Sequence, residues 1–433
     1  MRSDLQERRA LGNDAHSGSI SPVDRFGRRI GIGLLERLEN GEIVLVEPAG
    51  KLRFGDPDTA GELRATVTVR DQRFYRKLLF GGSIGAAEAY MDGYWVCSDL
   101  AALIRIFVRN RRVMFGMERR WARLGYPFNK LIHLLRANTL RGSKRNIAAH
   151  YDLNNDFFAQ FLDETMTYSC AIFERENASL KEASVAKLDR MCRKLALTPE
   201  DHVLEIGTGW GSFAIHAAQQ YGCRVTTTTI SQEQHELAQS RVHAAGVGER
   251  VTVLLKDYRK LEGHYQKIAS IEMIEAVGWE YLDGFFGKCS ELLTSDGTMA
   301  LQAITMADQE HERSKRSVDF IKRYIFPGGC VLSVTAMVDA LTRATDMRLV
   351  HLEDITAHYA KTLRMWRERF YANLDKVRGL GFDERFVRMW EFYLAYCEGG
   401  FQERLIGDVQ MVLAKPAWRQ TPILSSLPPC PSV

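Results

Sequence analysis

Paired cysteines, long apolar runs and metal-spaced histidines are all missing from this chain of 433 residues. Its eight cysteines are scattered without a CxxC pair or even spacing, which argues against a zinc cluster or a disulfide framework and for a reduced, cytoplasmic compartment. The N-terminal stretch MRSDLQERRALGNDAHSG has no apolar core of signal-peptide length, and no run of about 18 apolar residues occurs anywhere. A protein that neither leaves by a standard signal nor spans a bilayer is expected. His150, His216, His235 and His358 form neither HxH nor HExxH, so no metal site is expected. No internal repeat is visible.

What the chain does have is charge in one place. Between Arg105 and Arg145 twelve Lys or Arg stand against one acid, Glu118, a local charge of +11 in a chain whose total is +4. Such a concentration points to an anionic partner surface, nucleic acid or anionic lipid. Interleaved Phe107, Phe115, Trp121, Leu124 and Phe128 favour lipid, because aromatic rings beside arginines suit the headgroup boundary. A solvated linker helix with its apolar side on a neighbouring domain is the plainer alternative.

The pattern along the chain predicts five segments. Residues 1–25 are polar and read as loose. Residues 26–104 read as a small α+β domain, with GEIVLVEP and LRATVTVR as strands and QRFYRKLLFGG and IGAAEAYMDGYW as helices. Residues 105–149 form the basic helical linker. From 150 to 417 strand and helix patterns alternate (HVLEIGT, GSFAIHAAQQYG, RVTTTTI, QEQHELAQSRVHAAG, VTVLLKD, IASIEMI, GTMALQAIT), the grammar of a doubly wound, Rossmann-like α/β sheet. A charged helical insertion near residue 310, aromatic-rich helices and a last strand, DVQMVLAK, complete that domain. Residues 418–433 read as a disordered tail.

VLEIGTGWGSF places Glu205 at a strand end and Gly207, Gly209 and Gly211 in the turn before a helix. Glycine lets backbone pass close under a ligand, and open sheets bind ligands at the carboxyl ends of their strands. The spacing is GxGxG, not GxGxxG, and the position about 20 residues on that should carry a ribose-binding acid falls in TTTTI, so a nicotinamide cofactor is disfavoured. The string resembles motif I of S-adenosylmethionine-dependent methyltransferases. Asp257 and Tyr258, at a third strand end, then suit an adenine pocket, with an exposed helix cap as the plain alternative for Asp257.

HYDLNNDFF (150–158), TYSCAIF (167–173), LEIGTGWGSFAIHAA, TISQEQ (229–234), KDYR, EAVGWEYLD, YIFPGG (324–329) and HYAKTLRMW (358–366) together resemble the cyclopropane fatty acid synthases and the related mycolic acid methyltransferases. GSIGAAEAYMDGYW matches the longer bacterial synthases, so the resemblance runs over most of residues 30–415. It implies methyl transfer from S-adenosylmethionine to a cis double bond of a membrane phospholipid acyl chain, with a bound bicarbonate as proton acceptor. It assigns the bicarbonate pocket to Cys170 and its flanking backbone, Glu275, Gln302, the backbone of Ile304, and Tyr359. It assigns cofactor contacts to Tyr168, Ser169, Gly207, Gly209, Thr229, Ile230, Ser231, Gln234, Asp257 and Tyr258, with Glu205 and Gly211 completing the loop.

Gln302 departs from the family's commonest pattern, which has histidine there. An amide still donates two N–H bonds but does not titrate near neutrality. A methyl-branched or methylene chain is therefore kept as an alternative product to the ring. A non-catalytic lipid-binding protein and a nucleic-acid methyltransferase are rival readings. The intact glycine loop, Glu275 and Tyr359 speak against the first, and IEMIEAVG in place of an Asn/Asp-Pro-Pro-Tyr motif speaks against the second. The expected partners are unsaturated phospholipids on the anionic inner membrane surface and a second copy of the chain, since two basic segments strengthen weak lipid binding by avidity. Cys170, with no base beside it in sequence, is not expected to act as a nucleophile.

Overall fold

The computed structural model describes residues 20–58, 60–112, 155–421 and 423. The polar residues 1–19, most of the basic linker, the start of HYDLNNDFF and the final tail lie outside the described residues. The chain divides into two compact units. One gathers the described N-terminal residues with Arg316–Pro327 and Tyr359–Ile406; the other holds the remaining described residues up to Lys315, Gly328–His358 and the residues from Gly407 on. The aromatic-rich helices, expected within the methyltransferase domain, thus cluster with the N-terminal residues.

The N-terminal unit is built on a four-stranded sheet ordered β2-β1-β3-β4, from β1 (Glu42–Glu47), β2 (Gly50–Gly55), β3 (Arg64–Val69) and β4 (Trp95–Cys97). β1 and β3 are parallel, and each has an antiparallel neighbour. The two helices expected between β3 and β4 are one element, Arg73–Met91, bent where Gly82 takes a φ of 55°. β2 was not expected, because KLRFG shows little apolar alternation; it forms because the hairpin with β1 completes its backbone hydrogen bonds.

The second unit is a seven-stranded sheet ordered β10-β11-β9-β8-β5-β6-β7, with β5 (His202–Ile206), β6 (Arg224–Thr229), β7 (Val251–Leu255), β8 (Tyr265–Ile271), β9 (Leu293–Met306), β10 (Arg348–Asp354) and β11 (Ile406–Ala414). The pairs β6–β7, β5–β6, β5–β8 and β8–β9 are parallel, and β10–β11 is antiparallel. Parallel strands buried on both faces read as apolar runs, and VLEI and IASI are of that kind. Two apolar clusters cover the sheet, one around Phe285, Phe286, Met299 and Met337, the other around Phe213, Met191 and Val225. β5 is the first strand of the sheet and its successors lie on both sides of it, so the turn after β5 sits at the switch point where such folds open a ligand crevice.

Candidate active site

The turn after β5 has the backbone that its glycines allow. Gly207, Gly209 and Gly211 have φ of 103°, 50° and 87°, in the region where a Cβ is disfavoured. A Cβ on Gly207 would also stand 3.1 Å from the Met273 side chain. Gly211 leads directly into the helix Ser212–Tyr221 with no side-chain cap. Trp210, inside the loop, is anchored by its indole N–H donating to Asn155 Oδ1 at 2.6 Å, and its ring packs against Phe158, centroids 5.0 Å apart. Arg241 donates to the carbonyl oxygens of Trp210 and Thr165, at 2.6 and 2.9 Å, which ties the loop to the segment that precedes TYSCAIF.

Glu205 lies behind this loop rather than on it. Its carboxyl is buried and accepts a bond of 2.6 Å from the Thr227 hydroxyl of neighbouring β6, and Thr208 shares that hydroxyl at 2.7 Å. Burial pushes Glu205 up to about 8, against the pull of Thr227 and Lys187, so its neutral form predominates near pH 7. The threonine run of β6 thereby has a cause: hydroxyls satisfy a buried acid that an apolar strand would strand. At the end of β6, Thr229 donates to Gln234 Oε1 at 2.8 Å and accepts from the Ser231 amide, while Ser231 caps the helix Gln232–Ala244. Ile230 lies between these two residues. Asp257 caps the short turn Tyr258–Lys260 and is held by both faces of Arg259, at 2.9 and 2.7 Å. Asp257 thus caps that turn while buried rather than exposed, and Tyr258 packs edge-on against Phe285.

TYSCAIF is neither helix nor strand. Tyr168 joins the rings of Phe158 and Phe161. Ser169 accepts from the ammonium of Lys187 at 2.8 Å, a lysine 1% exposed whose pKa burial lowers. Cys170 is fully buried, and burial, reinforced by the charges of Asp408 and Glu272, holds its thiol well above the ordinary range. A thiol so suppressed is no nucleophile.

The chemistry converges on the carboxyl ends of β8 and β9 and the amino end of β11. Glu272, just past β8, adopts a φ of 47°, and its Oε1 accepts from the Cys170 amide at 2.8 Å and from the Gln302 amide at 2.7 Å. Gln302, fully buried on β9, also donates to Asp408 Oδ2 of β11 at 3.1 Å. Glu275 accepts from the Ile304 amide at 2.5 Å through one oxygen, and its other oxygen is buried without a partner. Burial, then the nearby Glu272 charge, pushes Glu275 up to about 8. Asp408 is fully buried, with Oδ1 unpartnered, and burial followed by Glu272 raises it strongly.

The orientation of Gln302 is fixed from the far side. Lys194, which only donates, bonds Gln410 Oε1 at 2.8 Å; Gln410 must then turn its amide nitrogen to Gln302 Oε1, at 2.9 Å, which aims the Gln302 nitrogen at the carboxyls. Glu272, Asp408, Lys187 and Gln410 were not singled out from the sequence. The available signal was the alternation of Asp408 and Gln410 with apolar residues at the start of DVQMVLAK, and a second acid three residues before Glu275.

Of the expected site residues, Cys170, Glu275, Gln302 and Ile304 are brought together. Tyr359 belongs to the N-terminal unit, where it is buried and stacks on Phe401 with centroids 4.3 Å apart. The donors assigned to bicarbonate, namely the amides of Cys170, Ile304 and Gln302, already serve Glu272 and Glu275. The residues present do not fit a further anion in that arrangement, because the amides assigned to it already have carboxyl acceptors.

A family model described as mycolic acid cyclopropane synthetase matches residues 138–411. The tuberculostearic acid methyltransferase UfaA1 of Mycobacterium tuberculosis is 40% identical over 354 residues, covering 80% of this chain and 82% of that relative. The cyclopropane-fatty-acyl-phospholipid synthase of Escherichia coli K12 is 35% identical over 361 residues, covering 82% and 89%. Among solved structures, the mycolic acid cyclopropane synthase CmaA1 in complex with SAH and CTAB aligns with a TM-score of 0.59 at 33% identity, covering 63% of this chain and 98% of that one. With its Rossmann-like sheet and glycine loop, this chain belongs to the mycolic acid cyclopropane synthetase family and is an S-adenosylmethionine-dependent methyltransferase of the cyclopropane-fatty-acyl-phospholipid synthase type.

Proposed function

We propose that this enzyme methylates the cis double bond of unsaturated acyl chains in membrane phospholipids and closes the product to a cyclopropane. The observation that carries the reading is the position of the carboxyl cluster. Met273, between Glu272 and Glu275, is the side chain that Gly207 of the cofactor loop would meet, so proton-accepting groups lie beside the loop that holds the methyl donor. S-adenosylmethionine supplies an electrophilic methyl group.

The loop Gly207–Gly211, Thr229, Ile230, Ser231, Gln234, Tyr168, Ser169, Asp257 and Tyr258 would hold this donor, with Glu205 fixing the loop from behind. The alkene π electrons form the new carbon–carbon bond, and a positive charge is left on the adjacent chain carbon. Loss of a proton from the added methyl lets its C–H electron pair close the ring. The chain must orient the alkene, exclude water and accept that proton. Buried Cys170 and Gln302, with half-buried Ile304, provide a dry wall. Bicarbonate, implied by the family resemblance, is given no step, because its donors are engaged.

A methylene or methyl-branched product is the second reading, favoured by Gln302 and by the relative named a tuberculostearic acid methyltransferase. Incubating the protein with trideuteromethyl donor and vesicles of a cis-unsaturated phospholipid separates these outcomes. The ring keeps two deuterium atoms and shows ring-methine protons at the two former alkene carbons by NMR. Three retained atoms, or an exocyclic =CD2 signal by deuterium NMR, overturn the ring.

Docking on the anionic cytoplasmic membrane surface is part of the proposal. It is supported by the +11 segment and by two exposed aromatics of the N-terminal unit, Phe80, 78% exposed, and Phe26. Among the described residues no helix is long and apolar enough to cross a membrane. A homodimer would double the basic segment, and nucleic acid has no part in the reading. Co-sedimentation with anionic against neutral vesicles tests the docking; equal binding to both removes it.

A further inference from the structure

Three carboxyl groups meet where the family resemblance implies one bound anion. Glu272 and Asp408 both accept from the Gln302 amide nitrogen, so the two carboxyls are neighbours, and the buried ammonium of Lys187 lies near them. Asp408 is fully buried with an unpartnered oxygen, and Glu275 has a second unpartnered oxygen. Two N–H groups, from Cys170 and Gln302, converge on a single atom, Glu272 Oε1. N–H donors favour the charged form of a carboxyl, and Glu272 is the carboxyl of the three on which two such donors converge.

We infer that Glu272 is the catalytic proton acceptor of this enzyme, a side-chain carboxylate standing where the family resemblance puts bicarbonate, with Asp408, Gln302 and Gln410 as positioning residues. The inference rests on the proposed methylation of an alkene. In the step concerned, a C–H bond of the added methyl breaks, its electron pair forms the closing bond, and the proton passes to a Glu272 oxygen, to be released to water after the product leaves. The strained backbone fits this task. A non-glycine residue at a φ of 47° is disfavoured, and here the conformation is the one in which the carboxyl turns back toward Cys170 and Gln302.

The test uses the full chain and two buffers, one stripped of carbon dioxide and one with added bicarbonate. Wild-type methyl transfer to unsaturated phospholipid vesicles is expected to be the same in both. Glu272→Gly takes a residue that adopts this φ freely, so its thermal midpoint and its binding of the methyl donor by calorimetry are expected to hold. Its rate is expected to fall by about 100-fold or more without bicarbonate and to recover about tenfold when bicarbonate or formate refills the two N–H donors. A wild type that needs bicarbonate overturns the inference. A glycine variant with the wild-type rate in stripped buffer, or one that is folded and inactive but regains nothing from either anion, also overturns it. A wild type that binds the methyl donor yet methylates no unsaturated lipid overturns the proposed function itself, an outcome distinct from the others.

Discussion

Buried acids are treated differently in the N-terminal unit and in the carboxyl cluster of the Rossmann-like unit. In the N-terminal unit several are matched with arginine. Glu47 receives Arg28 through both oxygens, Glu403 receives Arg105 and Arg109 at 2.7 Å each, and Glu398 receives Arg364 and Arg367. Burial alone would raise Glu47 and Glu403, but the arginine bonds outweigh it and hold both below the usual carboxylate range. In the Rossmann-like unit Glu205, Glu275 and Asp408 have no arginine and are raised. Matched acids fix a fold, whereas unmatched ones keep a proton available near neutral pH, which is what a site of acid–base chemistry requires.

The comparison breaks most sharply through Glu275. Glu275→Gln keeps the shape and the bond from the Ile304 amide while removing a titratable group, so methyl transfer is expected to fall by about 100-fold or more, with donor affinity unchanged. Initial rates and calorimetry check this, and a variant within tenfold of wild type would class Glu275 with the structural acids. Next in size, Glu398→Ala strands Arg364 and Arg367 and is expected to cost about 3–5 kcal/mol in urea unfolding of the chain, with the rate per folded molecule little changed.

The pH dependence of stability sharpens the same contrast, because the two classes act with opposite sign. A raised acid such as Glu275 or Glu205 binds its proton more tightly when folded; its contribution is full below about 4.5 and is lost as pH rises toward about 8. Glu353 shows the matched behaviour within the Rossmann-like unit: burial raises it, but Arg190 and Lys194 outweigh that and bring it to about 2. Its contribution is present above about 4.5 and is lost as pH falls toward about 2. Melting midpoints of wild type and Glu275→Gln should be similar near pH 5 and separate toward pH 8, with wild type falling below the variant, and parallel curves would deny the shift. The smallest effect is expected at Cys170. Cys170→Ser should stay within about threefold of wild-type activity, because the backbone amide of this residue, and not its thiol, reaches Glu272. Complete inactivity with intact fold and donor binding would return the thiol to the chemistry.

The Rossmann-like sheet was legible because its strands carry their own signal. VLEI, RVTTTT and VTVLL are apolar or β-branched runs between amphipathic helices, and a GxGxG turn after a strand allows few other backbones. The site was legible in part. Cys170, Glu275, Gln302 and Ile304 could be named from motifs, yet their roles shifted once neighbours appeared, since the two amides read as anion donors already have acceptors. β2 and β10 were missed because their side chains are exposed or alternate weakly, and pairing with β1 and β11 is what makes them strands.

From the sequence alone came the order of elements, the cofactor loop and the family, because these depend on local patterns that a linear chain displays directly. Only the tertiary structure decided which acids are unmatched, for Glu272, Gln302 and Asp408 stand on three different strand ends, and Asp408 is separated from Glu272 by more than a hundred residues of chain. Whether a carboxyl is paired, protonated or poised depends on the dielectric and donors around it, and those are properties of packed neighbours rather than of residue order.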